Sequence, residues 1–401
     1  MKTTIGTHCT VTSSKRFHLS ERAESGVPFF CSKQIIQLEN GEIPSDYDHI
    51  TNEHFRDIQI KYGVPSAGDL LITTRGTYGI PYIYKERDCF YFADGNLTWL
   101  KDFDDCLSSH YLYYWFKSYE GQKKIDAIAK GTAQKAVPIA LIKDLQLSLP
   151  PISQQKRIAS ILSAYDDLIE NNRRQIKLLE EAAQRLYREW FVELRFPGHE
   201  SVKVMDGVPE GWTVTTASEV TNVLRRGISP NYDETARLSV ISQKCIRQYM
   251  VDMNQVRRQS KSFDSSMGLL DSDTVICSTG TGTLGRVGKV FGNHPNCTFD
   301  SHVTLVRTNG TVGKHYLNLR MYELREYFDS CKTGSTNQTE LSRSIVQNVK
   351  VYIADSHTQK IFEKIEEAYH QKMMICQHQI QLLTETRDRL LPKLMNGEME
   401  V

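Results

Sequence analysis

The sequence predicts an α+β chain: two pseudo-symmetric α/β halves separated by two long antiparallel coiled-coil helices. Three observations predict it. The chain repeats itself at an offset of 204 residues. Each repeat opens on short alternating segments broken by Gly, Asn and Asp, which read as strands and turns. Each then closes on a heptad-like apolar stripe about 40 residues long.

The repeat is the strongest of the three, because self-similarity decides architecture before any local reading does. From Gln155 to Leu186 the shift gives 12 identities in 32 positions without a gap, among them Ile161/Ile365, Tyr165/Tyr369, Leu178-Leu179/Leu382-Leu383 and Leu186/Leu390. Upstream, Leu145-x-Leu147-x-Leu149 falls on Val349-x-Val351-x-Ile353, and Gly68-Asp69-Leu70-Leu71-Ile72 answers Ser272-Asp273-Thr274-Val275-Ile276. With a unit of half the chain, this is duplication of a whole module. The predicted division is 1–151, a central helix over 152–196, a second module over 197–355 and a C-terminal helix over 356–401.

Within each module, Leu70-Leu-Ile-Thr-Thr and Thr274-Val-Ile-Cys-Ser read as strands. Short helices are predicted near Tyr111–Tyr119 and Tyr316–Tyr327, and a last strand precedes Pro150-Pro151. The first long stripe runs Ile158, Ile161, Tyr165, Ile169, Ile176, Leu179, Ala183, Leu186, Trp190, with Asn172 in the seam. The second runs Phe362, Ile365, Tyr369, Met373, Cys376, Ile380, Leu383, Leu390. Ser356-x-x-Gln359 has the form of a capping box. Phe196-Pro197-Gly198 is expected to stop the first helix, and Pro392 and Gly397 to bound the second. At 1.5 Å per residue each helix is roughly 60 Å long.

Composition narrows the function classes. A chain of 401 residues exceeds one typical core. With 40% hydrophobic and 24% charged residues it is ordinarily globular, which argues against wholesale disorder. Its apolar runs fall well short of the roughly 18 residues of a membrane span, and Met1-Lys-Thr-Thr-Ile-Gly-Thr-His8 has no signal-peptide stretch. Nine cysteines, an odd number with no Cys-x-x-Cys pair, read as reduced thiols in a cytoplasm and not as disulfides or structural zinc. No His-Glu-x-x-His or Cys/His cluster suggests a metal site. The net charge of +1 is low for a protein that grips DNA alone, so either DNA is not the partner or other subunits supply charge.

Gly280-Thr-Gly282-Thr-Leu-Gly285 matches G-x-G-x-x-G, but a dinucleotide fingerprint needs a helix to start there. The residues that follow, Arg286-Val-Gly-Lys-Val-Phe-Gly292, alternate like a hairpin. A Gly-enabled loop approaching a partner is the expectation, with no cofactor in this chain. There is no P-loop. Leu149-Pro150-Pro151-Ile152 shares only its prolines with the Asn/Asp-Pro-Pro-aromatic motif of amino-methyltransferases. From Lys244 to Lys261 five basic residues (Lys244, Arg247, Arg257, Arg258, Lys261) face one acidic residue, Asp252, with Arg225-Arg226 upstream. Clustered Arg suits phosphate contacts and bidentate reading of guanine. The comparable first-module stretch, Lys33 to Lys61, holds three basic and six acidic residues, so the modules share a scaffold while differing in contact surface.

The segments Leu178-Leu-Glu-Glu-Ala-Ala-Gln-Arg-Leu-Tyr-Arg-Glu-Trp-Phe191, Arg195-Phe-Pro-Gly198, Val208-Pro-Glu-Gly-Trp212 and Arg389-Leu-Leu-Pro-Lys-Leu-Met-Asn-Gly-Glu398 resemble Type I restriction–modification specificity subunits. Pro150-Pro151-x-x-x-Gln155-Lys-x-Ile158, Gly131-Thr-Ala-Gln134 and the 334–338 segment resemble that family too, although Ala354-Asp355 stands where the first repeat has paired prolines. The resemblance implies a non-catalytic, DNA-binding cytoplasmic protein whose two modules are target-recognition domains for double-stranded DNA, each reading half of a split asymmetric site. It implies two modification subunits that bind S-adenosylmethionine, and two restriction subunits that use ATP and Mg. A rod of roughly 60 Å can hold two readers further apart than one DNA turn of about 34 Å. Expected DNA contacts are Arg75, Thr77, Tyr78 and the loop with Lys130, Thr132, Gln134 and Lys135 in the first module. In the second they are Arg225, Arg226, Lys244, Arg247, Arg257, Arg258, Lys261, Thr279, Thr281, Thr336, Asn337 and Gln338. Outward helix residues expected to meet the modification subunits are Arg173, Arg174, Tyr187 and Arg188. Two other readings remain: a methyltransferase, which would bind S-adenosylmethionine by itself, and a coiled-coil adaptor that binds proteins without reading DNA.

Overall fold

The computed structural model describes residues 2–131, 135–331 and 339–401. The first repeat begins with β1 (Lys2–Thr4), α1 (Ile5–His8), β2 (Thr10–Thr12), β3 (Val27–Phe30), α2 (Ser32–Glu39), β4 (Asp48–Ile50) and α3 (Asn52–Lys61). It continues with β5 (Leu70–Thr73), β6 (Pro81–Ile83), β7 (Tyr91–Phe92), β8 (Leu97–Lys101), α4 (Ser109–Lys117), α5 (Tyr119–Ile128), α6 (Ile139–Lys143) and β9 (Gln146–Ser148). The long helix α7 (Ile152–Tyr187) follows.

The second repeat adds a small hairpin, β10 (Val204–Met205) and β11 (Val208–Pro209), before β12 (Thr213–Thr216), β13 (Thr221–Arg226), β14 (Leu238–Ile241) and β15 (Arg257–Gln259). Then come β16 (Thr274–Cys277), β17 (Val287–Lys289), β18 (Cys297–Phe299), β19 (Val303–Thr308), α8 (Lys314–Glu323), α9 (Arg325–Ser330), α10 (Arg343–Gln347), β20 (Lys350–Ile353) and α11 (Ser356–Met395).

Three sheets of the first repeat recur in the second with the same strand order. One four-stranded antiparallel sheet has the order β2-β8-β5-β6, and its counterpart has β13-β19-β16-β17. A three-stranded sheet, β4-β3-β7, matches β15-β14-β18, and in both the middle strand is antiparallel to one neighbour and parallel to the other. A last pair, β1-β9, matches β12-β20. All four residues of β5 and all four of β16 are buried, as a strand covered on both faces requires. The predicted single helices each break into two. Ser118 adopts an extended conformation, and its hydroxyl caps α5 by accepting from Gly121 N (3.2 Å). A Cβ at Gly121 would lie 2.0 Å from the Trp115 carbonyl oxygen, so only glycine fits there.

Two compact units emerge, Met1–Arg173 with Gln379–Val401, and Arg174–His378. Each takes part of both long helices. In the first unit the start of α7 (Ile158, Ala159, Leu162) shares a core with the end of α11 (Leu390, Leu391, Leu394). In the second, Ala183, Tyr187 and Trp190 share a core with Phe362 and Met373. Start meets end in both, so the helices are antiparallel. Leu162 lies off the predicted stripe yet is fully buried, because the helix packs on the strand module as well as on its partner helix. Asn172 is buried in the seam, and its amide donates to the Leu168 carbonyl (2.9 Å).

The helix ends depart from the sequence reading. The α7 coil passes into a π-helical turn over Arg188–Val192, and Leu194 takes φ 57°, so the helix ends before Phe196-Pro197-Gly198. Asp355, not Ser356, caps α11: its carboxylate accepts from His357 N (2.9 Å), Thr358 N (3.0 Å) and the Thr358 hydroxyl (2.5 Å). Pro392 lies inside α11 and does not bound it; Asn396 N still bonds to the Pro392 carbonyl (2.9 Å), and Gly397, at φ 72°, follows the end.

The two repeats differ in how α11 and α7 meet their strand modules. Positions Ala159, Leu162, Ser163 and Asp166 of α7 correspond to Glu363, Glu366, Glu367 and His370 of α11. In the second unit these build a buried polar network. Lys289 Nζ donates to His315 Nδ1 (2.6 Å), His315 Nε2 bonds Glu367 (2.9 Å), and Lys314 reaches Glu367 (3.1 Å) and Asp271 (3.2 Å). His370 Nε2 completes the chain to Asp271 (2.8 Å). Burial pushes Lys289 down and Glu366 up, and it pushes His315 down to about 3, with the Lys289 charge adding to the effect.

Candidate nucleic-acid interface

In the first unit, two sequence-distant candidates are brought together. The loop after β5 turns through Gly76 (φ 70°) and Gly79 (φ 79°), conformations that favour glycine. Its Arg75 pairs in an antiparallel bridge with Ala136, which also bridges Lys130. Val137 N donates to the Thr74 carbonyl (2.9 Å), fastening the two loops side by side. Arg75, Thr77, Lys130 and Lys135 are exposed. Tyr78 is half-buried, its hydroxyl donating to Asp126 Oδ1 (3.0 Å). Thr132 and Gln134 lie outside the described residues, as do Thr336, Asn337 and Gln338.

The second unit repeats this pairing 204 residues on: Thr279 bridges Glu340, and Leu341 N donates to the Ser278 carbonyl (2.8 Å). The G-x-G-x-x-G loop runs into β17, which pairs antiparallel with β16, so it is the turn of a hairpin. Gly285 (φ 79°) is there for a close approach, since a Cβ would come within 2.8 Å of the backbone of α9. Thr281 is exposed and Thr279 half-buried. The Thr279 hydroxyl is 2.8 Å from His302 Nδ1 and accepts from Gln243 (2.9 Å). Gln243 and His302 escaped the sequence reading, because nothing in their spacing links them to Thr279.

The basic cluster separates into two groups. Arg226 donates to the Leu341 (2.8 Å) and Ser278 (3.4 Å) carbonyls and pairs with Glu340 (2.7 Å), so its guanidinium ties the two loops together. Arg258 donates to the Ala236 carbonyl (2.8 Å) and Lys261 to that of Ser229 (3.2 Å). These three hold the scaffold. Arg225, Lys244, Arg247 and Arg257 are exposed, and Arg257 lies over the Tyr232 ring, 3.5 Å from its centroid. Exposed cations without these internal ties suit an anionic partner.

Of the expected partner contacts, Arg173 and Arg174 are exposed. Arg188 is exposed and paired with Glu323 (2.9 Å). Tyr187 is a correction: it is 1% exposed, with its ring centroid 5.5 Å from Phe191 and 5.8 Å from Tyr316. Near the π turn the strand module and α11 cover α7 together, which leaves Tyr187 no outward face. Burial accordingly pushes its phenol up to about 12.

Among the described residues His8, Asp104 and Cys106 have metal-binding donor types close together. Both His8 nitrogens are already engaged, Nδ1 by Asp104 (2.8 Å) and Nε2 by Thr3 (2.9 Å), which is the pattern of a structural contact. Among the described residues no helix is long and apolar enough to cross a membrane.

Residues 4–181 match the family model described as the Type I restriction modification DNA specificity domain. The chain is 25% identical to the MjaIX specificity subunit of Methanocaldococcus jannaschii over 390 residues, covering 94% of this chain and 87% of that one. It is 30% identical over 181 residues to a putative Type I specificity subunit of Haemophilus influenzae, covering 45% of this chain and 43% of that one. The crystal structure of a Type I restriction–modification S subunit from M. genitalium shares the fold, with a TM-score of 0.60 at 17% identity, over 98% of this chain and 95% of that one. A match to the Type I specificity domain over the first repeat, and similarity to Type I specificity subunits along nearly the whole chain, agree with the duplicated strand module and the two antiparallel long helices: residues 4–181 carry the Type I restriction modification DNA specificity domain, and the chain as a whole is similar to Type I specificity subunits.

Proposed function

We propose that this subunit recognises a split, asymmetric DNA site, with one half read by each strand module. The observation that carries this reading is the loop pairing repeated at a fixed offset in both units, Arg75 with Ala136 and Thr279 with Glu340, on modules whose Lys33–Lys61 and Lys244–Lys261 stretches carry opposite net charge. The same scaffold with different side chains is what two different half-sites require. The recognition domains are assigned to 1–151 and 197–355, and the segments 152–196 and 356–401 carry the long helices.

The long helices set the gap between half-sites and dock two methyltransferase subunits. Leu178 and Leu382 occupy equivalent repeat positions and are 55% and 49% exposed, which suits two copies of one partner. Those subunits hold S-adenosylmethionine, and two restriction subunits use ATP and Mg; this chain works in the cytoplasm as their non-catalytic reader. A net charge of +1 fits a protein whose partners contribute phosphate contacts.

The test is single-molecule methylation mapping of a host expressing this chain with its modification subunit, against a host lacking this chain. A new split motif with methylated adenine in both halves is the expected result. No new motif, despite a stable complex and an active modification subunit, would overturn the reading in favour of a protein-binding adaptor.

A further inference from the structure

Tyr232 and Arg257 lie apart in sequence and meet in the second unit. The Tyr232 backbone forms an antiparallel bridge with Gln259, so Arg257, two residues before Gln259, is its diagonal cross-strand neighbour. The contact is well supported from below. Ser260 N donates to the Asn231 carbonyl (2.8 Å), Asp233 N to the Arg258 carbonyl (3.2 Å), and the Asn231 amide to the Ser260 hydroxyl (2.9 Å). Arg258 and Lys261 bind the same loop through Ala236 and Ser229. Gln259 is fully buried and bonded to both backbone groups of Lys261 (2.8 Å each), which fixes the strand end.

On this base Tyr232 is 43% exposed and the Arg257 guanidinium lies over its ring. Among the described residues no carboxylate pairs with Arg257. An arginine stacked on an aromatic face keeps its plane while its edge N–H groups remain available. A plane held in advance with two parallel donors free fits guanine, whose O6 and N7 accept as a pair in the major groove. A phosphate contact needs no such orientation, and an unstacked lysine would serve as well.

We propose that Tyr232 and Arg257 form a guanine-reading pair, in which Arg257 bonds one guanine of the second half-site and Tyr232 holds its plane. This rests on the split-site reading above. The test is methylation mapping of the whole complex carrying Arg257→Lys, Tyr232→Phe or Tyr232→Ala. Arg257→Lys keeps the charge without the fork, and discrimination at one G·C position of the second half-site should fall about tenfold or more. The first half-site should be read as before. Tyr232→Phe keeps the ring and should retain the motif, whereas Tyr232→Ala should relax the same position as Arg257→Lys.

Three results would overturn the pair: a wild-type second half-site with no guanine, an unchanged motif with Arg257→Lys, or a uniform loss across all sites. The last would mark a phosphate contact. A wild-type complex that methylates no split motif would instead sink the underlying reading, and this one with it.

Discussion

Arg257 and Arg258 are adjacent and chemically identical, yet one lies over Tyr232 and the other is bonded to the Ala236 carbonyl. Their variants should therefore differ in kind. Arg257→Ala should weaken recognition of the second half-site with assembly unchanged. Arg258→Ala removes a hydrogen bond from a charged donor and should lower the melting stability of the second unit by on the order of 1 kcal/mol, with a smaller effect on which bases are read. Joining the two changes would mix the effects, so the single variants are the informative pair in half-site binding and thermal melts. Equal loss of half-site binding in both, with unchanged melting, would sink this division of roles. The sequence showed that basic residues cluster between Lys244 and Lys261. It could not show which of them turn back onto carbonyls, because that depends on a loop brought alongside from residues 229–236. Tyr232 was invisible for the same reason, and Tyr187, on a helix face that reads as outward, is buried by a module folded over it.

Elements were more legible than residues, since a 3.6-residue period and a period of two persist over many positions. Their ends were not. The capping box at Ser356 had the right letters, but Asp355, one residue earlier, offers a carboxylate to the amides of His357 and Thr358 and carries charge at a helix N-terminus, where it is favoured. Asp355→Ala should cost roughly 1 kcal/mol of stability in denaturant melts, and Ser356→Ala close to nothing; the reverse order would restore Ser356 as the cap. Pro392 stays inside α11 although an interior proline costs about 3 kcal/mol. Its neighbours Leu390, Leu391 and Leu394 pack in the core of the first unit, and that burial offsets the missing hydrogen bond.

For the molecule as a whole, the offset of 204 residues was the most informative feature of the sequence, because it required two copies of one fold before any strand was placed. It also hid a difference. The junction of helix and module is largely apolar in the first unit around Ala159 and Leu162, and ionic in the second around Glu363, Glu366, Glu367 and His370. The second unit should therefore respond more strongly to acid. His315 is held neutral down to about 3 against an ordinary value of 6.5, so the unfolded chain takes up its proton first and stability drains as pH falls from 6.5 towards 3. Glu367 acts in the same direction below 4.5: its bonds from Gln371, His315 and Lys314 outweigh burial and hold it at about 2. Glu366, pushed up by burial, acts in the opposite direction, so the comparison must be made between variants. His315→Gln should lose less stability than wild type between pH 6.5 and 3, by on the order of a few kcal/mol in pH-dependent melts. Parallel curves would mean that His315 does not control the acid response.

The way the units share their helices also bears on the order in which they can form during synthesis. The second unit is one continuous stretch, Arg174–His378, and all of its residues are available before the last part of α11 is made. The first unit is interrupted: its core needs Leu394, a residue translated well over 200 positions after Ile158 and Leu162, against which it packs. A ribosome therefore begins with the first recognition module and finishes it last. Until α11 is released, the start of α7 keeps an apolar face without its cover, and a nascent chain in that state is the form a chaperone or a protease would meet.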